Sequence, residues 1–548
     1  MGTRRRLLLD GVALAVVIAM LVLVPAVATP PDGDAARGQV PVPEPGSAPP
    51  LEVPGNGEPP GRQDDRSSPD VDERVADLPE PYASWNVTVQ VSDWHPQGLE
   101  VAFDSELLGQ RAHNFVWLPD SYSHKKKQPS GTVYFLHGTT CSYGCPAEDL
   151  DSLDSEPTTP VWDQLQTWEF APRGGYYVGA HGLNTFLHRH QYVSVVLDAG
   201  PEPHWCGHCW WVDGRDGTGI QAESHLYEEL IPVVEALFNV RTDRGGRGIV
   251  GHSMGGSGAL IQGMRHPDRW GYIGSTGATV VVTRPFTGGV HPEWMWLNYL
   301  RQQGFDVHDE IAFRSIDPFE LATNLSGQNI ETLMVLGDGC NPDDPENPCH
   351  DYPDDPNAVN AVRVRFWDIE GKYRFYSEAA SAKLAELGVP HQFVKRTGTH
   401  VGLIRDTYDR LMIDQINRVF ARDVPVPTVF SYKTTETDFD VWDYAITVER
   451  PNEEFLNLLA ARTDGTDFVL AGTGTVTVST PAAFEPHRSY TVLITPEDGT
   501  TREVSVSADA QGRLHLELDL GPTRAVDERL ALVEAGEFSF PHTRVQVL

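Results

Sequence analysis

The stretch "GIVGHSMGGSGAL", residues 248–260, runs from an apolar strand end through Gly-x-Ser-x-Gly into the start of a helix. A serine flanked by glycines between strand and helix marks a sharp turn at the edge of an α/β sheet, so this stretch decides the fold. The bare pattern decides little, since at this glycine and serine content it arises by accident about one time in four. The flanks carry the reading. "RGIV" (247–250) predicts a buried strand and "SGALIQGMRHP" (257–267) a helix, so Gly251 and Gly255 allow the turn and Ser253 is lifted clear of the sheet as a candidate nucleophile. The helix behind it aims backbone N–H groups and a positive dipole end at any anion that forms there, with the Met254 N–H first in line.

Outward from the elbow, buried strands alternate with helices from about residue 81 to 425. "GTVYFLHG" (131–138), "YVSVVLDAG" (192–200), "YIGSTGA" (272–278), "TLMVLGDG" (332–339) and "HQFVKRTG" (391–398) predict strands, with "LEVAFDS" and "RAHNFVWLP" as an early hairpin. "ESHLYEELIPVVEALF" (223–238), "YRFYSEAASAKLAELG" (373–388) and "RDTYDRLMIDQINRVFA" (405–421) predict helices. This alternation predicts an α/β fold: a doubly wound, mostly parallel sheet covered on both faces, with its site at the carboxyl ends of the strands. After "VPVPTVF" the pattern becomes short strands parted by "EDGT" and "DAQG", which predicts a C-terminal antiparallel β-sandwich over 426–548. No catalytic constellation is present there, and a structural or adhesive appendage is the expected role.

The N-terminus has a basic run (Arg4, Arg5, Arg6), an apolar stretch and Ala26-Val27-Ala28, which predicts a signal peptide over 1–28 cleaved after Ala28. An uncleaved anchor and twin-arginine export are the alternatives; each places the working chain outside the cytoplasm, secreted or in the cell envelope, without stable membrane insertion once the signal is cleaved. Residues 29–80 are rich in Pro, Gly, Asp and Glu and predict a disordered linker. The formal charge of −35 excludes a nucleic-acid or anionic-membrane partner, because such a surface repels phosphate. The six cysteines fall into close pairs, Cys141 with Cys145, Cys206 with Cys209 and Cys340 with Cys349, which in an oxidising compartment read as local disulfides. A zinc-type set in "HWCGHCWW" (His204, Cys206, His208, Cys209) is the alternative for the middle pair. The acidic stretch from Cys340 to Val359 reads as a solvated loop, with calcium binding as its alternative. No metal and no cofactor is expected to take part.

A serine hydroxyl needs a base, and His400 in "VKRTGTHVG" follows the last strand and precedes the last helix, where that base belongs. His252 and His391 read as elbow-flanking and packing residues. A second oxyanion donor is expected just after "YFLHG", at Thr139, or Thr140 as backup. Trp205, Trp210 and Trp211 are expected near the mouth of an aromatic or sugar-lined cleft.

The segment "YEELIPVVEALFNVRTDRGGRGIVGHSMGGSGALIQGMRHPDRW" (227–270) resembles the esterase D type of α/β-hydrolase, a family that includes feruloyl esterases, S-formylglutathione hydrolases and secreted mycolyltransferases. The resemblance spans about residues 95–420 and implies a serine carboxylic-ester hydrolase acting on a small-molecule or glycan-linked ester. "LGDGCNPDD" (336–344), "GTH" (398–400) and the Cys206/Cys209 pair are similar to the mycolyltransferase branch, whereas the Leu-His-Gly end of the oxyanion strand and the C-terminal β-domain are not. For the triad acid, the mycolyltransferase-like pattern implies Glu370, with Asp368 beside it. The ordinary hydrolase pattern implies Asp338, with Asp343 and Asp344 in the same loop. Hydrolysis, acyl transfer to a sugar hydroxyl, and a non-catalytic surface- or glycan-binding role remain as three readings.

Overall fold

The computed structural model describes residues 69–91, 98–119, 121–138, 191–197, 209–215, 217–278, 300–301, 303–306, 310–337, 376–396, 411–522 and 541–548. The signal segment 1–28, Thr139, Thr140, Cys141, Cys145, His204, Trp205, Cys206, His208, Asp338, Cys340, Asp343, Asp344, Cys349, Asp368, Glu370 and His400 lie outside them.

Nine strands make the first sheet. β1 (Thr88–Val91), β2 (Leu99–Ser105) and β3 (Gln110–Trp117) form an antiparallel edge, followed by β4 (Gly131–Leu136), β5 (Tyr192–Val196), β6 (Arg247–His252), β7 (Tyr272–Thr276), β8 (Glu331–Gly337) and β9 (Gln392–Arg396). Their spatial order is β1-β2-β3-β5-β4-β6-β7-β8-β9, with β5 through β9 parallel. Every residue of β4, β5, β6 and β7 is buried, which is why β4 and β5 read as near-continuous apolar runs. One face packs against helix Met254–Arg265 and the helical run 222–237; the other packs against Ile413–Phe420. The chain leaves β4 to both sides, to β5 on one and β6 on the other, which makes the crevice at their carboxyl ends the switch point where such folds place their sites.

The helix expected over 223–238 is present with one departure. Its middle turn, His225–Leu230, is a π-helix, and the Ile231 N–H reaches back to the Leu226 carbonyl. Pro232 follows at once; its ring would crowd the carbonyl four residues earlier, and the widened turn relieves that clash. The Glu229 side chain anchors the same turn by accepting the backbone N–H groups of Glu106 and Leu107, at 2.9 and 3.1 Å, and so ties the helix to the β2–β3 turn.

Folded structure starts earlier than the composition of 29–80 predicts, which corrects the expected linker. Pro69–Ala76 is a helix with proline at its first position, and Val75 and Leu78 dock on the core.

The C-terminal region makes two antiparallel sheets. One holds β10 (Val429–Thr434), β13 (Leu456–Arg462), β14 (Asp467–Ala471), β19 (His542–Val547), β16 (Ser489–Pro496) and β17 (Arg502–Ser507), in that order. The other holds β11 (Asp438–Val441), β12 (Tyr444–Glu449), β15 (Thr475–Ser479) and β18 (His515–Asp519). Alternating burial along β10, β12 and β18 brings the inner faces together over a core that includes Tyr444, Phe468 and Val545. The segment "FVLAGTGTVTVST" (468–480) is divided between the two sheets. The chain crosses from β14 to β15 at Gly472-Thr473-Gly474, where Gly474 takes φ +94°.

Candidate functional site

Ser253 sits between β6 and helix Met254–Arg265 with φ 56° and ψ −122°, a backbone conformation that a residue with a side chain adopts only under strain. The strain is held from both sides. The Ser253 N–H donates to the Thr276 carbonyl on β7 at 2.9 Å, and the Ser253 carbonyl accepts the Ser257 N–H at 3.0 Å, closing the first turn of the helix.

The glycines around the serine are steric requirements. A Cβ on Gly251 would lie 2.1 Å from the Gly255 carbonyl oxygen, and one on Gly255 would lie 1.9 Å from that of Leu136. On Gly256 it would meet the Thr276 oxygen at 2.7 Å, and on Gly258 the Trp211 ring at 2.5 Å. Elbow and helix therefore lie directly on the end of β4. Gly138, the last described residue there, faces Ser253 so closely that a Cβ would stand 3.1 Å from the serine Cβ and 3.7 Å from its Oγ. Thus the expected oxyanion segment begins against the expected nucleophile. The Met254 N–H opens the helix, in the turn whose donors have no intrahelical acceptor.

Two buried histidines brace this corner. The His252 Nδ1 lies 2.9 Å from Thr276 Oγ1, which itself donates to the Gly251 carbonyl at 3.2 Å, so His252 flanks the elbow as expected. His137 packs edge-on against Trp211 with ring centroids 4.9 Å apart, and the Trp211 Nε1–H donates to the His137 carbonyl at 3.2 Å. His391 likewise packs, its ring 2.8 Å from Ser381 Oγ and 3.0 Å from the Val389 carbonyl.

The two tryptophans overturn one expectation. Trp210 and Trp211 are fully buried rather than lining a mouth. Both take positive φ, 57° and 61°, and the Trp211 carbonyl accepts the Gln262 amide of the nucleophile helix at 2.5 Å. The cause is Gly258: its bare Cα leaves a slot in the helix surface, and the Trp211 ring fills it. An amphipathic reading of "HCWW" misses this, and the signal that would have found it is a glycine one turn into a helix.

Cys209 is disulfide-bonded, so its sulfur is not a zinc thiolate, which counts against the metal reading of "HWCGHCWW". Among the described residues no group of three or more His, Cys, Asp or Glu is placed to hold a metal ion. Asp213 stands near the start of run 222–237, accepting the Ser224 N–H and hydroxyl at 2.9 and 2.6 Å. Burial and the neighbouring Glu223 push its carboxyl above the ordinary range.

A parallel sheet with antiparallel edge strands and a strained serine between strand and helix define an α/β-hydrolase. Residues 217–373 match the family model described as "Putative esterase". No curated protein sequence matches the chain. Among solved structures, a ferulic acid esterase is 17% identical, with 61% of this chain and 99% of that one covered and a TM-score of 0.36. S-formylglutathione hydrolase from Agrobacterium tumefaciens is 16% identical, covering 62% and 99%, with TM-score 0.36. MPT51 (FbpC1) of Mycobacterium tuberculosis is 14% identical, covering 57% and 96%, with TM-score 0.36. Within the α/β part, the stretch similar to the esterase family model includes the elbow, Gly251 to Gly255.

Proposed function

We propose that this chain is a secreted serine carboxylic-ester hydrolase. Ser253 attacks the ester carbonyl, His400 takes its proton and returns it to the leaving alcohol, and Glu370, with Asp338 as the alternative, orients His400. The N–H groups of Met254 and Thr139 receive the oxyanion, and water releases the acyl group from Ser253. No cofactor enters. The observation that carries the reading is the strained backbone of Ser253, pressed against Gly138 by glycines that admit no side chain. Strain of this kind persists only where the surrounding structure holds it, and it gathers at reacting groups. The Gly-Asp-Gly segment at 337–339 and "GTH" at 398–400 favour a second fate for the acyl group, transfer to a sugar hydroxyl.

A fluorophosphonate probe tests the nucleophile. Labelling of the folded chain, lost in Ser253→Ala together with about 10⁴-fold or more of the esterase rate, is the expected result. A folded chain that does not label overturns it in favour of a non-catalytic binding role. Product analysis with and without a sugar acceptor separates hydrolysis from transfer.

A further inference from the structure

The far end of the nucleophile helix poses a separate question. The last carbonyls of any helix lack intrahelical donors, and something must supply them. Here the C-terminal sandwich does so. The Tyr432 hydroxyl on β10 donates to the Arg265 carbonyl at 2.7 Å. Asn324 Nδ2 donates to the Met264 carbonyl at 3.0 Å and to the Lys433 carbonyl at 2.9 Å, while its Oδ1 accepts the Lys433 N–H at 2.7 Å.

The Arg265 side chain, the last of the helix, is gripped by both regions. Its Nε donates to Glu223 at 2.8 Å, its Nη1 to the Ser315 carbonyl at 3.3 Å, and its Nη2 to Glu436 of the sandwich at 2.7 Å. His266 adds a second contact to Glu223 at 2.7 Å.

The rest of the seam has the same character. Lys433 pairs with Glu320 at 2.6 Å and lies 4.1 Å from the Phe455 ring centre, while Arg314 reaches the same carboxylate at 3.2 Å. Arg244 stacks on Trp442 at 4.9 Å, and the Trp442 Nε1–H donates to Gln328 at 3.0 Å. Arg215 meets Glu453 at 3.2 Å. Parting the two regions would strip Lys433 from Glu320, and Tyr432 and Glu436 from Arg265; Glu320 and Arg265 are largely buried charges, for which losing a partner is unfavourable. A module joined to swing or to be shed would be tethered by a linker; this one is welded to the helix that carries the serine.

We propose that the C-terminal sandwich is a fixed strut of the esterase, in which Tyr432 and Glu436 are positioning residues that hold the last turn of helix Met254–Arg265 and, through it, Ser253. The proposal rests on Ser253 as nucleophile. It departs from a detachable adhesive appendage, because the sandwich residues closest to the helix are spent on gripping it.

The test uses the full chain with Tyr432→Phe and Glu436→Gln, with Glu436→Asp as the conservative variant and Arg544→Gln, in an exposed pair on β19, as the control. Three readouts are taken: the rate of fluorophosphonate labelling, kcat and KM on a p-nitrophenyl ester, and hydrogen exchange of the 258–266 amides. Expected are a fall of about 3- to 10-fold in kcat and labelling rate at unchanged KM, and faster exchange in the last helical turn. Partial recovery in Glu436→Asp and no change in Arg544→Gln complete the expected pattern. Folded Tyr432→Phe and Glu436→Gln chains that label and turn over at the wild-type rate overturn the proposal, even if exchange quickens, since the sandwich would then only add stability. A wild-type chain that does not label overturns instead the nucleophile on which the proposal rests, and the two failures are thereby told apart.

Discussion

The two ends of helix Met254–Arg265 are built by opposite means. At the Ser253 end, what matters is missing side chains: Gly251, Gly255, Gly256 and Gly258 let backbone and ring approach to distances no Cβ tolerates. At the Arg265 end, what matters is side chains that arrive from afar, since Tyr432 and Glu436 lie 167 and 171 residues along the chain from Arg265. The first end has no open space for an added Cβ, whereas the second loses one interaction at a time. The difference teaches where each end is fragile: steric conflict against a rigid neighbour has no graded escape, while a network of polar contacts retains what remains.

Substitutions at the elbow sharpen the comparison most. Gly255→Ala places a Cβ 1.9 Å from the Leu136 carbonyl oxygen, so the strand or the helix must move. Ester turnover should fall by about 10³-fold and stability by about 3 kcal/mol, read by kinetics and denaturant unfolding. Gly258→Ala meets the Trp211 side chain, with Cδ1 at 2.5 Å, instead of a carbonyl; overpacking against a side chain rather than backbone is expected to cost about 2 kcal/mol in the same unfolding measurement. Equal effects from the two would break the distinction between backbone and side-chain neighbours.

The polar end should show itself in acid. Burial alone would raise Glu223 and Glu320, but Arg265 and His266 beside the first, and Lys433 and Arg314 beside the second, outweigh it and hold each carboxyl at about 2 against an ordinary 4.5. Groups held down in the folded chain stabilise it fully above their unfolded value, and that contribution is lost as pH falls from about 4.5 towards 2. Melting temperature plotted against pH should therefore drop across that window, and Glu320→Gln should flatten the drop. A Glu320→Gln curve parallel to wild type would remove the seam from acid stability. Smallest of all is Arg544→Gln: its pair with Asp467 is half exposed, and the midpoint of unfolding should move by no more than about 0.5 kcal/mol.

Legibility in the sequence follows the same division. Mostly apolar runs announced β4, β5 and β8, because a strand buried on both faces favours apolar residues at most positions. The elbow was legible because thirteen contiguous residues contain its strand end, its turn and its helix start. Less was visible where a partner decides. In the sandwich, "VFSYKT" and "HTRVQV" place about half their residues outward and look like ordinary polar sequence until an opposing sheet buries the rest. Helix Pro69–Ala76 was hidden by the composition around it. Trp210 and Trp211 were misplaced because a tryptophan pair beside a cysteine looks the same in a cleft as in a core.

By itself, the sequence determined the α/β class, the strand-serine-helix corner and the change to antiparallel structure after residue 425, since each rests on periodicity or on a short run of residues whose neighbours are also neighbours in the chain. Only the tertiary structure decided that Gly138 closes on Ser253, that Trp211 fills the slot at Gly258, and that Tyr432 and Glu436 meet the last residue of the nucleophile helix. Each of these is a contact between residues far apart in the chain, and it rests on excluded volume or on hydrogen bonds and an ion pair across the seam, neither of which leaves a period in the sequence.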